Sequence, residues 1–291
     1  MRLILTLLFA IIFSTQSLFA GRPAIKKAKN ISYIADATIA HQLDVYYPKD
    51  LSKAKDVMVF VHGGSWNSGK KETYSFFGKG FAKENVVTVV INYRLTPEVQ
   101  FDKMAEDCAA AVAWVQKNIA EYGGNPDRIF LSGHSAGGHL IGLISTNREY
   151  FDNIGLKNPV KGTMLIDAFG LDMDQYFSEI DPVESSIYYP TFTADPVNWQ
   201  RGTPLNFTER SNVPFIGFVG ERTYPGIKLG TERFKNKLKQ EGKDMTLNTI
   251  PKKKHVGMIT QFLFRGSIMY DYCMRFMAEA DAQTKPVLGL Q

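Results

Sequence analysis

The sequence Gly133-His134-Ser135-Ala136-Gly137 follows the apolar run Arg128–Ser132 and precedes a helix-like segment, Gly138–Thr146. That order predicts a strand, a sharp turn and a helix, which is the context of a G-x-S-x-G nucleophile elbow. In such a turn the serine hydroxyl projects above the sheet edge, and the flanking glycines let the helix pass close to the strand. The sequence therefore predicts Ser135 as a nucleophile, with the Ala136 amide at a helix N-terminus, where a developing negative charge is favoured.

A second motif lies upstream of the elbow. The β-prone run Asp56–Val61 ends at His62-Gly63-Gly64-Ser65-Trp66, and a glycine pair directly after a strand can expose its backbone amides. The spacing ahead of the elbow suits the second half of an oxyanion hole. Gly63 and Gly64 are therefore predicted, together with Ala136, to bind the oxyanion.

Five motifs are spread along the chain: residues 42–48 (QLDVYYP), 62–66 (HGGSW), 92–95 (NYRL), 124–129 (GNPDRI) and 133–139 (GHSAGGH). Their order resembles that of α/β-hydrolases of the hormone-sensitive-lipase-like carboxylesterase group, nearest in motif style to kynurenine formamidases and to feruloyl and acetyl-xylan esterases. The resemblance implies an α/β-hydrolase fold, a small-molecule ester substrate, and triad members in the chain order serine, acid, histidine. It implies no cofactor and no metal, and the chain carries no H-E-x-x-H or C-x-x-C motif.

The rest of the chain alternates between strand and helix patterns. Apolar runs predict strands over residues 31–35, 41–47, 56–61, 86–91, 128–132, 160–166, 214–219 and 245–250. Helical patterns cover residues 71–83, 101–121, 138–146, 230–240 and 258–279. This alternation predicts a single α/β domain over residues 21–291, with a mostly parallel sheet, helices on both faces, and a site at the carboxyl ends of the strands.

The general base is predicted from its place in the chain. His255 is the only histidine after the last predicted strand and stands just before the final helix. His41, His62, His134 and His139 lie in earlier elements. Three lysines precede His255, and like-charge repulsion favours the neutral imidazole that a base needs.

The acid departs from the family pattern. In the loop Gly220–Gly226, Thr223 stands where relatives of this type carry an aspartate, and threonine cannot hold the negative charge that fixes the tautomer of the base. Glu221 on the same loop is predicted as the acid. Asp172, and after it Asp167, remain as alternatives from the end of the preceding strand, and a further alternative is that there is no acid.

Residues 171–212 form a long insertion between two predicted strands, and we expect it to act as a small lid. It carries six aromatic residues that can line an apolar or aromatic pocket, with packing onto the core as the alternative: Tyr176, Phe177, Tyr188, Tyr189, Phe192 and Trp199.

Residues 1–20 combine a short positive start, an apolar core and a small final residue, which predicts a cleaved export signal and a secreted or periplasmic protein. An uncleaved membrane anchor is the alternative. We expect no stable membrane insertion after cleavage. The oligomeric state is not predicted.

The net charge of +5 is spread along the chain, so nucleic-acid binding is not predicted. Cys108 and Cys273 both have apolar neighbours, which favours two buried thiols over a disulfide.

Two functions are consistent with these features. The first is an exported serine esterase with Ser135 as nucleophile and His255 as base. The second is a binding protein on a hydrolase fold that has lost catalysis, because Thr223 stands at the expected position of the acid.

Overall fold

The computed structural model describes residues 23–36, 38–180 and 182–280. The predicted export signal, residues 1–20, lies outside the described residues. Among the helices within them, none combines the length and the apolar character that crossing a membrane requires.

A single sheet of eight strands forms the centre of the molecule: β1 (Ile25–Ser32), β2 (Gln42–Pro48), β3 (Lys55–Val61), β4 (Val87–Ile91), β5 (Gly124–His134), β6 (Val160–Ile166), β7 (Phe215–Gly220) and β8 (Met245–Ile250). The spatial order is β1-β2-β4-β3-β5-β6-β7-β8. β1 and β2 pair antiparallel, as do β2 and β4, and every other pair is parallel. The predicted mostly parallel sheet is therefore confirmed.

Helices connect the strands: α1 (Ser75–Lys83), α2 (Phe101–Asn118), α3 (Ala136–Thr146), α4 (Glu149–Asp152), α5 (Met173–Glu179), α6 (Pro182–Ser185), α7 (Tyr189–Phe192), α8 (Pro196–Arg201), α9 (Pro225–Gln240), α10 (His255–Thr260) and α11 (Ile268–Glu279). Short segments of 3-10 helix cover Ile39–His41, Lys71–Tyr74, Ile119–Tyr122, Ser186–Tyr188, Pro204–Arg210 and Gln261–Leu263.

The central strands are apolar on both faces because helices cover both. On β3, Val57, Val59 and Val61 belong to one core cluster, whereas Met58 and Phe60 belong to the other. This alternation follows from the period of two along a strand. It places α2 and α3 on the first face and α1 and α11 on the second.

The two cysteines lie in these opposite layers. Cys108 on α2 packs in the first cluster and Cys273 on α11 packs in the second, and both are buried free thiols. Burial raises the pKa of both thiols, so neither presents a reactive thiolate at neutral pH.

Several predicted boundaries were wrong. The first strand covers Ile25–Ser32 rather than 31–35, because β1 pairs with the whole of β2. α9 begins at Pro225, five residues before the predicted start, since proline is well placed in the first turn of a helix. The predicted helix over 258–279 is divided into α10, a 3-10 turn and α11, which starts after the Ser267 cap.

The insertion at 171–212 folds as short helices that pack on the first core face. Phe177 and Phe192 are buried there, so for these side chains the packing alternative is correct. Trp66 Nε1 donates to His139 Nδ1 at 3.2 Å, and His139 Nε2 donates to the Gly202 carbonyl at 2.7 Å. This pair of hydrogen bonds links the glycine loop to the insertion. Burial lowers the pKa of His139 to about 4, which keeps the ring neutral and Nδ1 free to accept.

Candidate active site

Ser135 stands between β5 and α3 with φ 55° and ψ −122°. This positive φ is strained for a residue with a side chain and marks the sharp turn of a nucleophile elbow. The chain can turn only because Gly133 and Gly137, two residues to either side, lack a Cβ. A Cβ on Gly133 would lie 2.5 Å from the Gly137 carbonyl oxygen, and one on Gly137 would lie 2.2 Å from that of Val61.

His255 is the first residue of α10 and faces the elbow. Its Nε2 lies 2.9 Å from Ser135 Oγ, and its Nδ1 lies 2.6 Å from Asp167 Oδ2. An imidazole held in this way keeps its proton on Nδ1 and presents a free Nε2 to the hydroxyl. The structure thus brings Ser135, His255 and Asp167 into one line of hydrogen bonds.

Asp167 follows β6 directly and is completely buried. Its Oδ1 accepts the Gly220 amide at 2.8 Å, and its Oδ2 accepts the Thr223 hydroxyl as well as His255 Nδ1. Its own amide donates to the Phe218 carbonyl at 2.7 Å. Three donors around one carboxylate compensate for the water that burial removes.

Glu221, the predicted acid, does not occupy this position. Its Oε2 accepts the backbone amide of Lys252 at 2.6 Å, and the residue is exposed. On the same loop Thr223 points inward to Asp167, whereas Glu221, two residues earlier, is exposed. The prediction that Glu221 contacts the base is therefore wrong.

The alternative Asp172 is also engaged elsewhere. Its side chain accepts the Gln175 amide at the start of α5 and lies 3.4 Å from Arg233. Burial raises its pKa. Asp167, the last of the named carboxylates, is the one that reaches His255.

The glycine loop lies against the elbow. A Cβ on Gly63 would come within 3.1 Å of Ser135 Cβ. Gly64 has φ 131°, and a Cβ there would lie 2.1 Å from the Ser68 carbonyl oxygen, so this tight turn requires glycine. Within the described ranges, neither amide has a backbone acceptor. The Ala136 amide begins α3, where N–H groups lack intrahelical partners. These three predicted donors therefore flank Ser135.

His134 stacks on the base, with ring centroids 4.6 Å apart, and its Nε2 lies 3.3 Å from the His255 carbonyl oxygen. Burial, reinforced by the neighbouring His255, lowers the pKa of His134 to about 4. A neutral His134 adds no second positive charge when His255 takes up a proton.

Aromatic rings surround this centre. Tyr224 lies 5.4 Å from the ring of His255. Phe169, two residues after Asp167, contacts Trp66, Tyr176 and Tyr188. Tyr176 and Tyr188 come from the insertion and are only partly buried, so they form an apolar wall next to the site.

No metal centre is formed within residues 23–36, 38–180 and 182–280, because no three His, Cys, Asp or Glu side chains converge there to hold an ion.

The model of the BD-FAE family matches residues 43–223, which include the glycine loop, the elbow, Asp167 and Thr223. The chain belongs to the BD-FAE family. The resemblance to α/β-hydrolases of the carboxylesterase group is likewise confirmed.

Individual proteins resemble this BD-FAE member over part or all of the chain. It is 39% identical over 100 residues to a probable isoprenylcysteine alpha-carbonyl methylesterase of Arabidopsis thaliana, a match covering 34% of this chain and 21% of that protein. It is 35% identical over 102 residues to carboxylesterase NlhH of Mycobacterium tuberculosis, covering 35% of this chain and 32% of the relative. The matches thus span about a fifth to a third of these relatives' length.

A solved structure, esterase B from Lactobacillus rhamnosis, superimposes with a TM-score of 0.76 at 19% identity, covering 97% of this chain and 96% of that one. At that identity the likeness speaks for the fold. It confirms the predicted α/β-hydrolase fold of this BD-FAE member.

Sequence reasoning ranked Asp167 last and did not assign Thr223 a contact. A signal was present: Asp167 ends the strand run Val160–Ile166, and carboxyl ends of neighbouring parallel strands meet at one sheet edge. A threonine at the position where the resemblance implies the acid is therefore a reason to examine the end of the neighbouring strand.

Replacing Thr223 with valine is expected to lower kcat by about 10- to 100-fold, because a hydrogen bond to a charged group contributes about 1.5–3 kcal/mol. Valine keeps the shape of threonine but removes the donor to Asp167. Thr223→Ser, which retains the hydroxyl, is expected to recover most of the activity. Steady-state kinetics on both variants, with melting temperatures as a folding control, test this. Full activity of the valine variant shows that the hydroxyl does not position Asp167.

Proposed function

We propose that this protein is a serine hydrolase of carboxylic esters, with Ser135 as nucleophile, His255 as general base and Asp167 as acid. The single observation that carries the proposal is the continuous hydrogen-bonded line from Ser135 Oγ through both nitrogens of His255 to Asp167. A serine in a structural turn needs neither a strained φ nor a buried carboxylate behind a histidine. The arrangement matches the roles of a catalytic triad.

In the first half of the reaction, Ser135 Oγ attacks the acyl carbon while His255 Nε2 takes the hydroxyl proton. Negative charge then develops on the carbonyl oxygen. The amides of Gly63, Gly64 and Ala136 are proposed to bind that oxygen, and His255 gives its proton to the alcohol oxygen as the ester bond breaks.

In the second half, His255 takes a proton from water, and the resulting hydroxide attacks the acyl-enzyme. The carboxylic acid product is released when Ser135 Oγ regains the proton from His255. Asp167 stabilises the imidazolium in both halves because its buried carboxylate faces Nδ1.

The names of the relatives agree with this reaction class, since they describe a methylesterase and a carboxylesterase. The partly buried rings of Phe169, Tyr176 and Tyr188 suit an apolar or aromatic part of the substrate. We place the acyl group against this wall.

The experiment is hydrolysis of p-nitrophenyl acetate and butyrate, combined with labelling by a fluorophosphonate. We expect turnover of both esters and one covalent adduct that peptide mass spectrometry locates at Ser135. Binding of esters with neither turnover nor an adduct overturns the proposal. That outcome supports the alternative, a catalytically impaired binding protein. The alternative was motivated by Thr223 at the expected position of the acid, and the contact of Asp167 with His255 weakens that motivation.

Export is part of the proposal and rests on residues 1–20. Expression of the full chain, fractionation and N-terminal sequencing of the product test it. We expect a processed protein outside the cytoplasm, and an unprocessed cytoplasmic product contradicts this expectation.

A further inference from the structure

Two loops next to the base, each taken together with the first residues of the helix that follows it, carry an excess of positive charge. Residues 220–228 and 251–256 contain a single carboxylate, Glu221. We refer to the cations of these two loops as the basic rim: Arg222, Lys228, Lys252, Lys253 and Lys254. All of them are exposed except Lys253, which is half-buried.

Hydrogen bonds hold the two loops side by side. The Arg222 amide donates to the Lys253 carbonyl at 2.9 Å, and the Lys252 amide donates to Glu221 at 2.6 Å. Lys228 Nζ donates to the Glu221 carbonyl at 2.5 Å. Because Lys254 directly precedes His255, the rim lies next to the base.

The nearest acidic groups do not cancel this charge. Glu221 and the buried Asp167, which contacts both segments, are two carboxylates beside the five cations. Asp172 and Glu179, on the adjoining part of the insertion, both pair with Arg233, which lies further along α9. The rim therefore keeps a net positive potential toward solvent.

The position of the basic rim relates it to one of the two portions of an ester substrate. His255 protonates the departing alcohol, so the alcohol portion leaves on the side of His255. Gly63, Gly64 and Ala136 are proposed to bind the carbonyl oxygen, so they are not expected to contact the alcohol portion. The basic rim adjoins His255 in both sequence and structure, so we assign the alcohol portion, which receives its proton from His255, to the neighbourhood of the rim.

We infer that the substrate is an ester whose alcohol portion carries a negative charge, such as a carboxylate, that the basic rim attracts. This inference rests on the proposed esterase function. Attraction by several exposed cations raises the encounter rate of an anion and weakens as salt is added.

The test uses a matched pair of acetate esters, 4-acetoxybenzoate and its neutral methyl ester. Both release a para-substituted phenol, and they differ in the charge of the leaving group. We divide each kcat/KM by the rate of hydroxide-catalysed hydrolysis, which removes intrinsic reactivity. The anionic ester is expected to be preferred by about fivefold or more at low ionic strength, and the preference is expected to approach unity near about 0.5 M salt.

Charge reversal of the rim then reverses the preference. K252E/K254E is expected to favour the neutral ester at low salt. K235E/K239E has the same change in net charge on α9, where Lys239 lies about 16 Å from Lys228 along the helix, and is expected to behave like the parent protein. Since the preference is a ratio within one variant, a general loss of Ser135 reactivity does not change it.

Two results overturn the inference while leaving the esterase function intact. One is equal normalised rates for the two esters at low salt in the parent protein. The other is a preference that K252E/K254E and K235E/K239E change equally, which indicates net charge rather than the rim. Hydrolysis of neither ester is a different result, because it counts against the proposed function itself.

Discussion

Ser135→Ala is expected to lower kcat by about 10⁶-fold, because it removes the proposed nucleophile and leaves only binding and the proposed oxyanion donors. The elbow can accommodate alanine without other change, since both residues carry a single Cβ at φ 55°. The measurement is p-nitrophenyl butyrate hydrolysis at enzyme concentrations high enough to detect residual turnover, together with fluorophosphonate labelling.

Ser132→Ala is the matched control. Ser132 is buried on β5, three residues before the nucleophile, and its hydroxyl has no hydrogen-bond partner within the described part of the chain. Its loss is expected to leave kcat nearly unchanged. Comparable activity of the Ser135→Ala protein and its parent shows that hydrolysis does not proceed through Ser135.

Asp167→Asn is expected to lower kcat by about 10⁴-fold near neutral pH, with a smaller effect on KM. An amide can turn its NH₂ toward Nδ1 and so favour the tautomer that carries its proton on Nε2, which is the wrong one for accepting the Ser135 proton. Loss of the negative charge also removes the partner of the imidazolium. Kinetics across the pH range, with the melting temperature as a folding control, measure this effect.

Glu221→Gln is the control for Asp167→Asn. Glutamine keeps an oxygen that can accept the Lys252 amide, and the side chain is exposed. We therefore expect activity within a few-fold of the parent protein. A large loss in Glu221→Gln, with little change in Asp167→Asn, reverses the assignment of the acid.

The double variant Asp167→Asn/Thr223→Asp moves the carboxylate to the position where the resemblance implies the acid. Thr223 Oγ1 and His255 Nδ1 contact the same oxygen of Asp167, so a carboxylate at 223 starts close to the imidazole. We expect partial recovery relative to Asp167→Asn. No recovery in a folded double variant shows that the loop geometry at residue 223 does not let a carboxylate there reach His255.

The sequence was sufficient for features that depend on contiguous residues. The elbow needs an apolar strand, two glycines and a helix, and all of these stand within residues 128–146. The glycine loop likewise follows its strand directly. The central strands were also predictable, because full burial on both sheet faces demands uninterrupted apolar runs such as Val57–Val61.

Predictions of where an element begins and ends were less accurate than predictions of the central strands. β1 has exposed residues along most of its length, so its apolar signal is weak. The predicted strand starts about six residues after the observed start at Ile25. The last helical pattern was read as continuous, although Gly266 and Ser267 separate α10 from α11. In both cases pairing or packing with another element sets the boundary.

The choice of acid was decided by tertiary structure. Asp167 and His255 are 88 residues apart, and Ser135 and His255 are 120 residues apart. In the sequence alone Glu221, Asp172 and Asp167 are equivalent candidates, since each is a carboxylate near a strand end. Only the placement of β6 beside β7 makes the Gly220 amide and the Thr223 hydroxyl converge on Asp167 and bury it behind the imidazole. The nucleophile is predictable from local sequence because contiguous residues form the turn that presents it. The acid is not, because it depends on which side chain two neighbouring strands enclose.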